Sequence, residues 1–252
     1  MKQEKIDPAA LLPMDIFAVD GPLRVDLAYA GPLSFCGIIY RPGSRLWLHE
    51  DLAAIVVLAA KLAHGEHGLR MVVYDGLRTV AAQALMAQAD IVKAHPHWLE
   101  GPNRVLSPPG TGGHPRAMAV DVSLETKKGV LLDMGTAFDE LPLDGSGPDI
   151  NRAHRLFADL PPAVKENRRI LEDSMTRAAA RLKLPLWLLP VEWWDFRFPA
   201  ETCNRYAPLD DTDLPPQMRM TAGHSKAPGP PDFPPGHFVG KKAALLHRLA
   251  KI

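Results

Sequence analysis

Cysteine is nearly absent from this chain. Cys36 and Cys203 are the only two in 252 residues, too few and too far apart for a disulfide framework. Net charge is absent too, because Lys plus Arg and Asp plus Glu both total 29. No basic stripe offers a surface to a phosphate backbone, and no block of like charge reads as an interaction tail, so no nucleic-acid partner is expected. The opening stretch MKQEKIDPAALLPMDIF has no continuous apolar run. It reads as neither a signal peptide nor a membrane anchor, which makes a cytoplasmic protein without membrane contact the expectation. Internal repeats are missing as well, which excludes solenoids and propellers.

What is present is enough chain to bury a core, with periodicities of both kinds. Helical spacing of Leu52, Ile55, Ala59 and Leu62 predicts a helix over 49–64, with Glu50 and Asp51 in its first turn and Gly65 ending it. LRMVVYD (69–75) reads as a buried strand, followed by a helix from Thr79 to about Lys93. MAVDVSL (118–124) and VLLDM (130–134) read as a hairpin around a polar turn. A third helix is expected from Pro162 to about Lys183, and a strand over 190–198. From 207 to 240 the composition changes, with 8 of the 25 prolines in this segment, and a short helix is expected at 241–250. The reading is a single compact α+β domain over 1–206, an antiparallel sheet flanked by helices, and a proline-rich tail over 207–252.

Three stretches carry chemistry. In GTGGHPRAMAVDVSL (110–124), His114 leaves a Gly-Gly loop and Asp121 follows in a strand whose small-residue face is Ala117, Ala119, Asp121 and Ser123. An imidazole and a carboxylate converging there supply two zinc ligands; the alternative is a surface His and a strand Asp paired with an Arg. In VVYDGLRT (72–79), Arg78 sits just before a helix start, where it can steady an oxyanion while Asp75 orients it. Equally, the pair can be a structural clip around a turn.

The third stretch is PVEWWDFRF (190–198), which sets two acids among aromatic residues. Glu192 can be a general base whose pKa is raised by apolar walls, and Asp195 a third metal ligand. Residues three apart in a strand face opposite ways, so both reach one ion only if the strand bulges or ends here. The alternative is two carboxylates paired with Arg197 or with the third helix, the tryptophans being core.

Together these stretches resemble the D-alanyl-D-alanine dipeptidases, zinc peptidases linked to vancomycin resistance. That family shows a Tyr-Asp-x-x-Arg turn, a His with an Asp seven residues on, and a Glu-Trp-Trp-His segment. Here they stand, in the same order, as Tyr74-Asp75-Gly76-Leu77-Arg78, His114 with Asp121, and Glu192-Trp193-Trp194-Asp195. LDMGTAFDE (132–140), LHEDLA (48–53) and VDLAYA (25–30), with Phe35, Gly37 and Tyr40 behind it, are similar to family segments too. The resemblance spans about residues 20–200 and omits the tail.

It implies one Zn²⁺ per chain held by His114, Asp121 and Asp195, with Glu192 as catalytic base toward a metal-bound water. It also implies Arg78 as oxyanion stabiliser, and Tyr74, Asp75, Gly113 and Asp139 as supporting or substrate-facing groups. The implied substrate is a small cell-wall dipeptide. Three departures stand out. Asp195 replaces the family's His, and two carboxylates weaken the ion's Lewis acidity and favour harder ions such as Mn²⁺. Gly112 and Gly113 offer only backbone where relatives tend to carry serines, and Ala117 stands where Gly is usual. The alternative function is a metal-poor relative that binds cell-wall peptides or a partner protein. The oligomeric state is not legible, and His224 or His237 in the tail are further candidates to complete the ligand set.

Overall fold

A computed structural model of the chain describes residues 3–32, 34–101, 104–222 and 232–252. Among these residues seven strands occur in order: β1 (Leu11–Pro13), β2 (Leu23–Val25), β3 (Trp47–His49), β4 (Arg70–Asp75), β5 (Ala119–Glu125), β6 (Trp187–Leu188) and β7 (Asp195–Arg197). The helices are α1 (Asp15–Ala18), α2 (Glu50–His67), α3 (Val80–Ala87), α4 (Asp90–Ala94), α5 (Pro162–Leu182), α6 (Ala200–Cys203) and α7 (Val239–Leu249). A five-stranded sheet runs in the order β2-β4-β5-β7-β6, and β1 pairs with β3 in a separate ribbon. All pairings are antiparallel except β2 with β4.

The expected helix at 49–64 runs one turn further. Gly65 stays helical, and Gly68 ends α2 at φ 66°, returning its N–H to the carbonyls of Ala63 and His64. At the other end His49 Nδ1 accepts from the backbone N–H of Asp51. Its burial differs from a simple stripe, because every residue from Leu52 to Ala60 is buried. The helix is enclosed by α5, α7, β1, β3 and β4, and its five alanines let those neighbours approach from all sides. Leu171, Met175 and Ala178 of α5 face α2 in a core that also takes Val73, Val122 and Trp194.

Two expected elements are shorter than their patterns. The expected hairpin closes over a short stretch: Leu131 bridges Glu125, and the Leu132 N–H donates to the Leu124 carbonyl. Further along that edge the Val122 N–H donates to the Trp194 carbonyl and β7 pairs with Ala119–Asp121, so the returning chain pairs no further. The helix expected over 79–93 breaks at Ala89, whose ψ of 140° separates α3 from α4. Thr79 caps α3 through its hydroxyl, as its position suggested.

Beyond residue 206, Leu209, Leu214, Met218 and Met220 are buried in the same core, and α7 lays Leu245 and Leu249 against the domain. His224 lies outside the described residues; His237 packs on Phe233 and Phe238 in a different cavity, beside Arg45. No helix of the described residues is long and apolar enough to cross a membrane.

The αL ending of α2 gives a stability test. An alanine at position 68 meets only the flexible end of Lys127, so its cost is conformational. Gly68→Ala is expected to lower unfolding free energy by about 1 kcal/mol in urea titration, without altering the folded spectrum.

Candidate metal-binding and catalytic site

Strand register sets three carboxylates in a row. Asp75 of β4 opposes Asp121 of β5, and Asp121 opposes Asp195 of β7. Like charges directly across a sheet repel, so this row requires compensation. The register of β4 slips between Val73 and Asp75, leaving Tyr74 as the extra residue. The slip brings Asp75 level with Asp121, and the Tyr74 ring stacks on Phe138 at 4.4 Å.

At one end of the row, Asp75 is saturated. Its Oδ1 accepts from the Tyr40 hydroxyl at 2.7 Å, and its Oδ2 from Nε and Nη2 of Arg78 at 2.9 and 2.7 Å. Arg78 Nη2 also lies 3.6 Å from Asp121 Oδ2, and the guanidinium sits 4.8 Å above the Tyr29 ring. Burial opposes the charge on Arg78, but the Tyr29 hydroxyl, the adjacent acids and Tyr40 outweigh it and hold its pKa well above the usual value.

His114 enters on a turn whose tightness depends on Gly113. A Cβ there would stand 2.9 Å from the Ala119 Cβ and 3.0 Å from the Met118 carbonyl, closer than such contacts allow. Ala117 closes the turn at φ 52°, a conformation glycine adopts without strain. His114 Nδ1 donates to the Gly76 carbonyl at 2.8 Å, which directs Nε2 at Asp195 Oδ2, 3.3 Å away, and Asp121 Oδ1, 3.7 Å away. Asp121 Oδ1 is buried and has no hydrogen-bond partner among the described residues. Burial, then the charges of Asp195 and Asp75, push the Asp121 pKa well above the carboxylate range.

The expected strand over 190–198 begins only at Asp195; residues before it form a turn. Arg155 fastens that turn through Nε to the Leu189 carbonyl and Nη2 to the Asp195 carbonyl, at 2.9 and 2.8 Å. Asn151 adds a bond to the Val191 carbonyl at 2.6 Å. Glu192 is therefore freed from strand alternation, and it is 7 % exposed. Burial, then the Asp195 charge, raises its pKa well above the usual value, while Arg197 and Arg78 act against the shift. Asp195 behaves oppositely: burial alone would raise it, but Arg197 and the hydrogen bond with His114 hold it below the carboxylate range.

Asp139, with φ 60°, accepts from the Tyr29 hydroxyl at 2.8 Å, and Arg78 Nη2 donates to the same hydroxyl at 3.3 Å. Tyr29, Tyr40 and Arg197 are the participants not assigned roles from the sequence. The two tyrosines stood only in segments of family likeness, and Arg197 only as a possible ion-pair partner. Asp75, His114 and Asp121 form a buried group whose potential ligand atoms all lie within 4.8 Å of one another, close enough to hold a metal ion.

A buried acid–imidazole group that could hold a metal ion thus sits beside a fixed guanidinium in an α+β domain. A profile of the D-Ala-D-Ala dipeptidase family, Peptidase M15, matches residues 9–212, and the chain belongs to that family. It is also 29% identical over 187 residues to the D-alanyl-D-alanine dipeptidase of Escherichia coli (strain K12), covering 74% of this chain and 84% of that protein.

Asp139 yields a pH test. Burial lifts its carboxyl to about 7 against the hydrogen bond from Tyr29. The folded state then keeps a proton that the unfolded chain releases near pH ~3.9, so this residue's contribution to stability falls as pH rises from about 4 to about 7. Asp139→Asn is expected to flatten that part of the stability curve, with the wild type losing ground across the window and the difference constant above it. Parallel curves in urea titrations from pH 4 to 8 would refute the assignment.

Proposed function

We propose that the protein is a metal-dependent dipeptidase hydrolysing D-alanyl-D-alanine or a related small cell-wall-derived dipeptide. The observation that carries this reading is Asp121 Oδ1, a buried acceptor without a donor, facing a His114 nitrogen whose ring partner is already committed to Gly76. An unpaired buried carboxylate oxygen is costly, and a cation between it and Nε2 removes that cost.

The orientation of the ring selects among the donors. Asp75 Oδ2 lies 3.6 Å from His114 Nδ1, the nitrogen that donates to Gly76, while both outer carboxylates carry an arginine, Arg78 on Asp75 and Arg197 on Asp195. Asp195 Oδ2 lies on the Nε2 side, so His114, Asp121 and Asp195 would hold the ion and Asp75 would orient Arg78. Ligand atoms around a tetrahedral ion with bonds of about 2.0–2.1 Å are about 3.4 Å apart. His114 Nε2 stands near that spacing from both, 3.3 Å from Asp195 Oδ2 and 3.7 Å from Asp121 Oδ1, while the group whose ligand atoms all lie within 4.8 Å of one another has Asp75 in place of Asp195. One nitrogen and two oxygens suit Zn²⁺, and the second carboxylate extends the range to harder ions such as Mn²⁺.

A divalent ion there supplies Lewis-acid polarisation of a scissile carbonyl and acidifies water. Glu192, buried and of raised basicity, takes a proton from the attacking water and delivers it to the departing amine. Arg78, held rigidly by Asp75 and Tyr29, stands as a fixed cation toward the oxyanion. Asp139 borders a cavity with Tyr74 and Phe138, and Gly113 a separate one with Arg197 and Trp187, so a dipeptide has space on either side.

A second reading, a metal-poor relative that binds peptides without turnover, is favoured by one observation: Arg197 already pairs with Asp195. Elemental analysis after purification without added metal, together with an assay for free D-alanine, separates the two. Under the enzymatic reading, Glu192→Gln retains fold and metal content but lowers turnover by roughly 10²-fold or more. Arg78→Ala lowers kcat more than it raises KM. A Glu192→Gln variant as active as wild type would remove Glu192 from the role of base.

A further inference from the structure

The Asp195 carboxylate is not bare. Arg197, two residues along β7, closes a fork on it: Nε donates to Oδ1 at 2.7 Å, and Nη2 donates to Oδ2. Oδ2 is also the oxygen that faces His114 Nε2. The oxygen that would meet an ion is thus shared with a buried guanidinium, whose side chain is 12% exposed. Bidentate Arg–carboxylate pairs are stiff, and they spread the carboxylate's charge over both groups.

We propose that Arg197 is a positioning residue that neutralises Asp195, so that the pair acts toward a metal ion as one ligand of no net charge. The proposal rests on the metal-centred reading above. Two bare carboxylates would cancel the charge of a divalent ion; with Arg197 on Asp195, the ion keeps one unit of positive charge for the carbonyl it must polarise. The chain's own cation thus offsets the loss of Lewis acidity that a second acidic ligand brings. Geometry supports a pair designed to stay closed. Arg155 donates to the Asp195 carbonyl and holds the backbone beneath the pair, while the two bonds of the fork fix the orientation of the carboxylate. Arg197 also borders a cavity of about 530 Å³ shared with Thr111, Gly113 and Trp187, where water can replace a truncated guanidinium.

The test is zinc affinity, measured by competition with a chromophoric chelator on metal-stripped protein. Arg197→Gln leaves Asp195 bare and more basic, and is expected to bind Zn²⁺ at least about tenfold more tightly than wild type. Its thermal shift on zinc addition should also exceed the wild-type shift, because the ion replaces a missing cation. Arg197→Lys, which keeps the charge, is expected to return affinity to near the wild-type value, a rescue that a purely structural role does not predict. Unchanged or weaker zinc binding by folded Arg197→Gln overturns the proposal.

Should that variant fail to fold, Arg197→Ala, whose vacated space opens on the same cavity, is measured in the same way. Tighter zinc binding than wild type is expected there too, and unchanged or weaker binding overturns the proposal. His114→Ala separates this inference from the reading beneath it. If wild type and His114→Ala bind zinc equally, there is no metal centre here; if only the Arg197 variants misbehave, the metal centre stands and the charge argument falls.

Discussion

Three aspartates in register across adjacent strands are the constraint around which this protein is arranged. Asp75, Asp121 and Asp195 lie side by side in β4, β5 and β7, all buried. A low-dielectric setting makes their mutual repulsion large, so each must be matched or protonated. Arg78 serves one end and Arg197 the other. The middle member has only a partial share of Arg78 and the edge of His114, and it is the one left with an unpartnered oxygen.

Much of the local backbone exists to keep that row aligned. The slip at Tyr74 brings Asp75 opposite Asp121. The missing side chain at Gly113 lets the His114 turn lie against β5. The turn before β7 is tied by Arg155 and Asn151, so that Asp195 starts a strand while Glu192 stays out of it. Each is a departure from regular geometry, and each acts on a different member of the cluster.

The legible parts of the sequence were those written in local pattern. The Thr79 cap, the Pro162 helix start and the apolar run through Val73 specify their elements without help from elsewhere. The order of Tyr74-Asp75, Arg78, His114, Asp121 and Glu192 was enough to suggest a family. Pairing across strands was not legible, because register is a relation between segments far apart. Nothing in VVYDG or AVDVS says that Asp75 and Asp121 lie opposite one another. Likewise, nothing local showed that the hairpin after Asp121 would stop at Leu124, where the segment leading into β7 takes over the edge. The uniform burial of α2 was hidden because its stripe is real, but its other faces are covered by segments as distant as α7.

The loop carrying Phe138 and Asp139 ties two otherwise separate systems together by adjacency. Phe138 stacks on Tyr74 and meets Trp194 edge-on at 5.5 Å, so it spans from the irregular end of β4 to the residue just before Asp195. Asp139 grips Tyr29, and through it Arg78. In mechanical terms the loop is a brace with two neighbouring feet, one in an aromatic stack and one in a polar chain. A displacement that lifts either foot strains the other, because a single peptide unit joins them. Loosening here would therefore release the aromatic stack that leads to Trp194 and the anchor of the guanidinium as one event.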